Sequence, residues 1–240
     1  MVAYTDIGEG FPVVLIHGLG SRKEAWVHQH PLSKKYRLII PDLRGHGETD
    51  INEGITVSNF AKDILELLDS LGIKSAYICG LSLGGIVAQE IYKQSPGLVK
   101  GLILANTTSY IHPLFASSVV YNAERNHTKE DYIDEIVNRG LYSKRKIEKA
   151  KEAFLIRESY MRATVAPIGL NYFPILPTIN VPVLLIGGAR DRVTPILNLC
   201  LMAMFIRRVQ KVIFPNTGHL SNIERSTLFN RCVSDFIGNI

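Results

Sequence analysis

The sequence is poor in the features that mark several classes of protein. It has 3 cysteines in 240 residues, Cys79, Cys200 and Cys232. An odd number, without close pairing and without metal-ligand spacing, argues against a disulfide scaffold and against a structural zinc site. Free thiols fit a reducing compartment, so a soluble, cytoplasmic protein is the expectation. No apolar run is long enough to cross a bilayer, and no basic segment followed by an apolar core opens the chain. There is no internal repeat and no low-complexity stretch. Acidic residues are outnumbered, 22 against 27 Lys and Arg, for a formal net charge of +5. That surplus raises the question of nucleic acid, yet the basic residues are spread along the chain. The one local cluster is Lys144, Arg145, Lys146, Lys149 and Lys151. It is interleaved with Ile147, Ala150 and Phe154, as on the wet face of a helix. No nucleic-acid motif accompanies it. The expected partner is a small molecule, with monomer and dimer both open.

What is present has the balance of one large globular domain, 46% hydrophobic and 20% charged. Its centre is Gly80-Leu81-Ser82-Leu83-Gly84-Gly85. The residues 75–79 before it are apolar and read as a buried strand, and 86–92 after it read as a helix with one wet face. A Gly-x-Ser-x-Gly at a sharp strand-to-helix turn is the setting of a nucleophile elbow. On its own the motif is weak, because glycine and serine are common in ordinary turns.

The rest of the chain alternates. Strands are expected at 2–7, 12–17, 36–40, 75–79, 99–105, 181–186 and 209–214. Helices are expected at 22–30, after Pro195, and at 221–237. Val57, Phe60, Ala61, Ile64, Leu67, Leu68 and Leu71 recur at helical spacing and mark a further amphipathic helix. Such alternation means a mostly parallel sheet covered by helices on both faces, an α/β fold. It pauses at 107–171, which reads as helices at about 113–125, 129–139 and 143–164. The domain reading is a core of 1–106 and 172–240 with a helical cap, 107–171, inserted over the strand ends. Ligands bind at the carboxyl ends of such strands.

A serine hydroxyl is a poor nucleophile until a base removes its proton, and the base needs an orienting carboxylate. Two strand ends after the elbow supply them: Gly187-Gly188-Ala189-Arg190-Asp191, and Pro215-Asn216-Thr217-Gly218-His219. Asp191 alone reads equally well as a helix cap, and His219 alone as a loop residue. Ser82, Asp191 and His219 in this order, each at a strand end, are a candidate triad. His112 and His127 fall in the insertion and are poorer bases. The oxyanion of an acyl-transfer intermediate needs two preorganised donors, worth roughly 3 kcal/mol each. The backbone N–H groups of Leu83 and Leu19 are the candidates. His17, Arg44 and His46 read as loop braces.

These stretches, with His17-Gly18-Leu19-Gly20 and Pro41-Asp42-Leu43-Arg44-Gly45-His46-Gly47, resemble the α/β-hydrolase superfamily over nearly the whole chain. Gly80–Gly85, 102–107 and 218–224 resemble 3-oxoadipate enol-lactonases and small carboxylesterases. The resemblance implies a hydrolase fold with the usual first strand missing, the triad above, a helical cap, and no metal or organic cofactor. Ser82 separates the chain from the superfamily's dehalogenases and epoxide hydrolases, which use an Asp nucleophile. Trp26, Phe115, Tyr121, Phe154 and Tyr160 are candidate walls of an apolar pocket, with Met161, Tyr172 and Phe173 as further candidates. A lactone diacid needs a nearby cation, for which Arg125, Arg157 and Arg162 are candidates. Three functions stand: carboxylic-ester hydrolysis through an acyl-serine, enol-lactone hydrolysis by the same chemistry, and non-catalytic ligand binding on a hydrolase fold.

Overall fold

The computed structural model describes residues 1–114 and 128–239. Its strands are β1 (Tyr4–Ile7), β2 (Phe11–Ile16), β3 (Tyr36–Pro41), β4 (Ala76–Leu81), β5 (Val99–Ala105), β6 (Val183–Gly188) and β7 (Val209–Phe214). They form one 7-stranded sheet in the order β1-β3-β2-β4-β5-β6-β7. Only β1 runs antiparallel, against β3. The strands are short apolar runs because both faces of the sheet are covered. Alternate side chains point to opposite faces, so the inner strands β2 to β6 feed two cores, while the edge strands β1 and β7 are partly exposed. Val14, Ile16, Ile78, Leu102, Leu104 and Leu185 pack on one side. Val13, Leu15, Tyr77, Cys79, Ile103 and Leu184 pack on the other.

The first face is closed by α1 (Val57–Ser70) and α2 (Leu83–Gln94). Thr56 caps α1 by accepting from the Asn59 N–H, and the apolar stripe expected from its spacing is buried. The second face is closed by a 3-10 stretch, Lys23–Lys34, and by α8 (Ser226–Gly238). Pro31 sits inside the 3-10 stretch, which runs longer than the helix expected at 22–30. The expected C-terminal helix is two pieces, α7 (Ser221–Glu224) and α8, parted at Arg225.

Between β5 and β6 lie α3 (Lys129–Gly140), α4 (Ile147–Lys151) and α5 (Tyr160–Val165). The single helix expected at 143–164 does not form. The chain leaves helical geometry after α4 because its backbone pairs instead with the loop after β2. Phe154 bridges Ser21, the Arg22 N–H donates to the Ala153 carbonyl at 3.1 Å, and the Leu155 N–H donates to the Gly20 carbonyl at 3.0 Å. Most of the helix expected at 113–125 lies outside the described residues. A bridge between Tyr110 and Asn171 draws the two ends of this segment together.

Register puts the carboxyl ends of β2, β4, β5, β6 and β7 at one edge of the sheet: Ile16 beside Gly80, Leu81 beside Ala105, Ala105 beside Ile186, Gly188 beside Phe214. After β6, α6 (Ile196–Phe205) leads to β7, the last strand.

Candidate active site

Ser82 is the turn itself. It joins β4 to α2 with φ 55° and ψ −118°, a conformation that costs a non-glycine residue about 1–3 kcal/mol. The surroundings hold it there. Its N–H donates to the Ala105 carbonyl at 3.0 Å, and Thr107 Oγ1 donates to its carbonyl at 2.7 Å. A Cβ on Gly80 would collide with the Gly84 carbonyl, and one on Gly84 with the Ile16 carbonyl. Both glycines are therefore required by close backbone approach. Leu83 is the first residue of α2, so its N–H has no intrahelical acceptor. Gly18, in the loop after β2, sits against the Ser82 side chain. Its neighbour Leu19 lines the same space as Ser82 and Leu83.

Asp191 is both a turn cap and the partner of a histidine. Its Oδ1 accepts from the Val193 and Thr194 N–H groups at 2.8 and 2.9 Å. Its Oδ2 meets His219 Nδ1 at 2.9 Å and accepts from Thr194 Oγ1 and Asn106 Nδ2, each at 2.8 Å. An ionised carboxylate only accepts, so the Nδ1 of His219 carries a proton; in the neutral imidazole Nε2 is then the acceptor. Burial opposes the charge on Asp191. The facing His219 and the donors on the carboxylate outweigh it, and hold the carboxyl down to about 2. His219 and Ser82 line one cavity. A hydrogen bond from Ser82 Oγ to His219 is not among those the described residues form. Catalytic contacts often tighten only when substrate binds.

Three supporting residues escaped the sequence reading. Asn106 closes β5 at the same sheet edge with φ 45°, and is buried. Its Nδ2 donates to Asp191 and to the Gly218 carbonyl, while its Oδ1 accepts from Ser221 Oγ at 2.5 Å. Glu224 is also buried. It accepts from the N–H groups of Gly218, Tyr142 and Ser143 at 2.7, 3.1 and 2.9 Å. The His219 N–H donates to the Gly140 carbonyl at 2.6 Å, so the histidine loop is fastened to the end of α3. In the sequence Asn106 stands directly after a buried strand, within the stretch 102–107 that carries the resemblance, with no role assigned to it.

The loop braces behave as their glycine-rich setting suggests. His17 donates from Nδ1 to the Gly18 carbonyl at 2.8 Å and accepts the Leu43 N–H on Nε2 at 3.1 Å. Burial pushes His17 down to about 4 and His46 down to about 3, so both imidazoles are neutral. Arg44 forks onto Asp63 at 2.7 and 2.5 Å.

Of the expected pocket walls, Phe154 and Tyr160 line the cavity shared by Ser82 and His219, with Leu19, Ile136 and Leu220. Trp26 does not. It is fully buried in the core, 5.9 Å from the Phe229 ring, because the 3-10 stretch turns it under the sheet. Tyr172 likewise belongs to the core, where its hydroxyl donates to Glu90 at 2.8 Å. Phe115, Tyr121 and Arg125 lie outside the described residues. Arg157 is engaged by Asp50 at 3.1 Å. Among the described residues two arginines reach the site: Arg192, which lines a second cavity beside Ser82, and Arg139, at the end of α3. Arg139 lines both cavities, and Leu19, Ser82 and Val193 are also common to both. Among the described residues no group of His, Cys, Asp and Glu could hold a metal ion.

Residues 12–226 match the family described as alpha/beta hydrolase fold, and the chain belongs to that family. It is 28% identical over 245 residues to 3-oxoadipate enol-lactonase 1 of Acinetobacter baylyi, covering 95% of this chain and 89% of that one. Among solved structures it is similar to a thermophilic esterase from Thermogutta terrifontis, at 27% identity and a TM-score of 0.90, covering 99% and 93% of the two chains. It is similar also to the enol-lactonase from Burkholderia xenovorans LB400, at 26% identity and a TM-score of 0.89, covering 99% and 96%.

Proposed function

We propose that this protein hydrolyses carboxylic esters of small or medium size through an acyl-serine intermediate. The observation that carries the reading is the His219–Asp191 pair at 2.9 Å, on the wall of the cavity that Ser82 also lines. Ser82 Oγ attacks the ester carbonyl carbon as His219 Nε2 takes its proton. The carbonyl electron pair moves onto oxygen, where the N–H groups of Leu19 and Leu83 receive it. Collapse breaks the acyl–oxygen bond, and His219 returns the proton to the departing alcohol. Water, deprotonated by His219, then attacks the acyl-serine carbonyl; the acyl–Oγ bond breaks, His219 returns the proton to Ser82 Oγ, and the acid leaves. Asp191 holds the imidazole and balances its transient charge. The segment 107–171 acts as the cap over this chemistry, with Phe154 and Tyr160 as apolar walls. Two cavities meeting at Ser82 suit an ester, with the acyl group on one side and the alcohol on the other.

A second reading is enol-lactone hydrolysis by the same steps. Arg139 favours it, as a cation beside both cavities suited to a substrate carboxylate. The test is turnover of a p-nitrophenyl ester series by wild type and Ser82→Ala, with an enol-lactone in parallel. Wild type is expected to show a chain-length optimum, and Ser82→Ala to lose roughly 10⁴-fold or more. Turnover of the lactone alone, lost in Arg139→Ala, selects the second reading. Equal inertness of both proteins on every acyl substrate leaves a binding protein.

A further inference from the structure

The helix α6 has an apolar outer face. Leu197, Leu201, Met204 and Phe205 stand at helical positions i, i+4, i+7 and i+8, and their exposures are 63%, 37%, 77% and 45%. On the inner side Leu199 and Met202 anchor the helix to the sheet core. The helix contains no charged residue. Both of its ends are cationic: Arg190 and Arg192 precede it, Arg207 and Arg208 follow it, and all four are exposed. Between Ala189 and Phe214 the one acidic residue is Asp191, buried and engaged by His219. Among the described residues no acidic side chain pairs with these arginines. Val193, next to the stripe, lines both cavities at Ser82.

We propose that this face of α6 docks on an anionic lipid surface, with the cavity mouth alongside. An apolar strip spanning about 12 Å, with cations at both ends, has the form of a helix that lies in a lipid interface. There the apolar residues enter the acyl boundary and the arginines meet anionic headgroups. Charge decides against a second copy of the chain. A two-fold contact that runs the helices antiparallel sets Arg190 and Arg192 against the partner copy's Arg207 and Arg208. A parallel contact sets each arginine pair against itself. Either arrangement opposes like charges, which disfavours pairing. Anionic lipid neutralises both ends at once.

The test is co-sedimentation of the full chain with phosphatidylglycerol–phosphatidylcholine vesicles and with pure phosphatidylcholine vesicles. Binding to the anionic vesicles, weakened by salt and at least about 10-fold stronger than to the neutral ones, is expected. Leu197→Glu/Met204→Glu alters exposed positions only. It should keep the wild-type melting curve and lose binding about 10-fold or more, as should Arg207→Glu/Arg208→Glu. Lys144→Glu/Arg145→Glu, the same charge change on another surface, should bind as wild type. Ser82→Ala should also bind as wild type, because docking involves no hydrolysis; the two readings therefore fail separately. The proposal is overturned by absence of vesicle binding at low salt, or by equal loss in the control variant, which reports net charge alone. It is overturned equally by a concentration-dependent dimer without vesicle binding that Leu197→Glu/Met204→Glu dissolves.

Discussion

At the scale of single residues, the site rests on what holds Asp191. The carboxylate takes Asn106 Nδ2, Thr194 Oγ1 and the Val193 and Thr194 N–H groups while it faces His219. Asn106 touches no reacting atom; it fixes where the carboxylate points. Hydrogen bonds to a charged group contribute about 1.5–3 kcal/mol. Asn106→Leu should therefore lower kcat by roughly 10- to 100-fold with little change in KM, and Asn106→Gln should not restore it. A steady-state comparison on one ester checks this, and an unchanged kcat would leave Asn106 a merely structural residue. The placement of Ser82, Asp191 and His219 at strand ends on one sheet edge was legible because each follows a recognisable strand. Asn106 was not, because its partners Asp191 and Ser221 lie 85 and 115 residues away. Trp26 was misread for a related reason. A large apolar residue near a loop looks the same in sequence whether it faces a cavity or the core.

At the scale of elements, the strands were legible as buried runs and α1 as a helical stripe. The break after α4 was not. Residues 143–164 carry a helical pattern, but the loop after β2 offers backbone partners that local propensity cannot anticipate. The same limit hid the link between the histidine loop and α3. Glu224 ties Gly218 to Tyr142 and Ser143, and Gly140 receives the His219 N–H. Glu224→Ala would leave three backbone donors unpaired, the Gly218 N–H buried and those of Tyr142 and Ser143 half-buried. It should destabilise the protein by about 2–4 kcal/mol and depress turnover by more than the loss of folded protein explains. Urea unfolding beside activity per folded molecule measures both. A stable, fully active variant would show that the histidine loop stands without α3.

At the scale of the molecule, the alternating strands build two cores on a single sheet, and this was the most legible property of all. The polar residues inside it set its response to acid. His17 and His46 are neutral in the folded protein, pushed to about 4 and about 3 from an ordinary 6.5. Their contribution to stability is therefore complete above pH 6.5 and lost as pH falls toward 4 and 3, because the unfolded chain takes up the protons first. Asp191 adds to the loss lower down. Its folded value of about 2 against 3.8 means that its contribution fades between those pH values. Urea midpoints should fall steeply from pH 7 to pH 5. A flat profile over that interval would mean that the two histidines are protonated in the fold.

In the proposed reaction Ser82 becomes covalently acylated with help from His219. The most direct measurement of this step is peptide mapping by mass spectrometry after reaction with a p-nitrophenyl alkylphosphonate, which traps the attacking oxygen. A single adduct is expected on the peptide that contains Ser82, absent in Ser82→Ala and greatly slowed in His219→Ala. An unlabelled protein, or an adduct on another residue that persists in Ser82→Ala, would contradict that step.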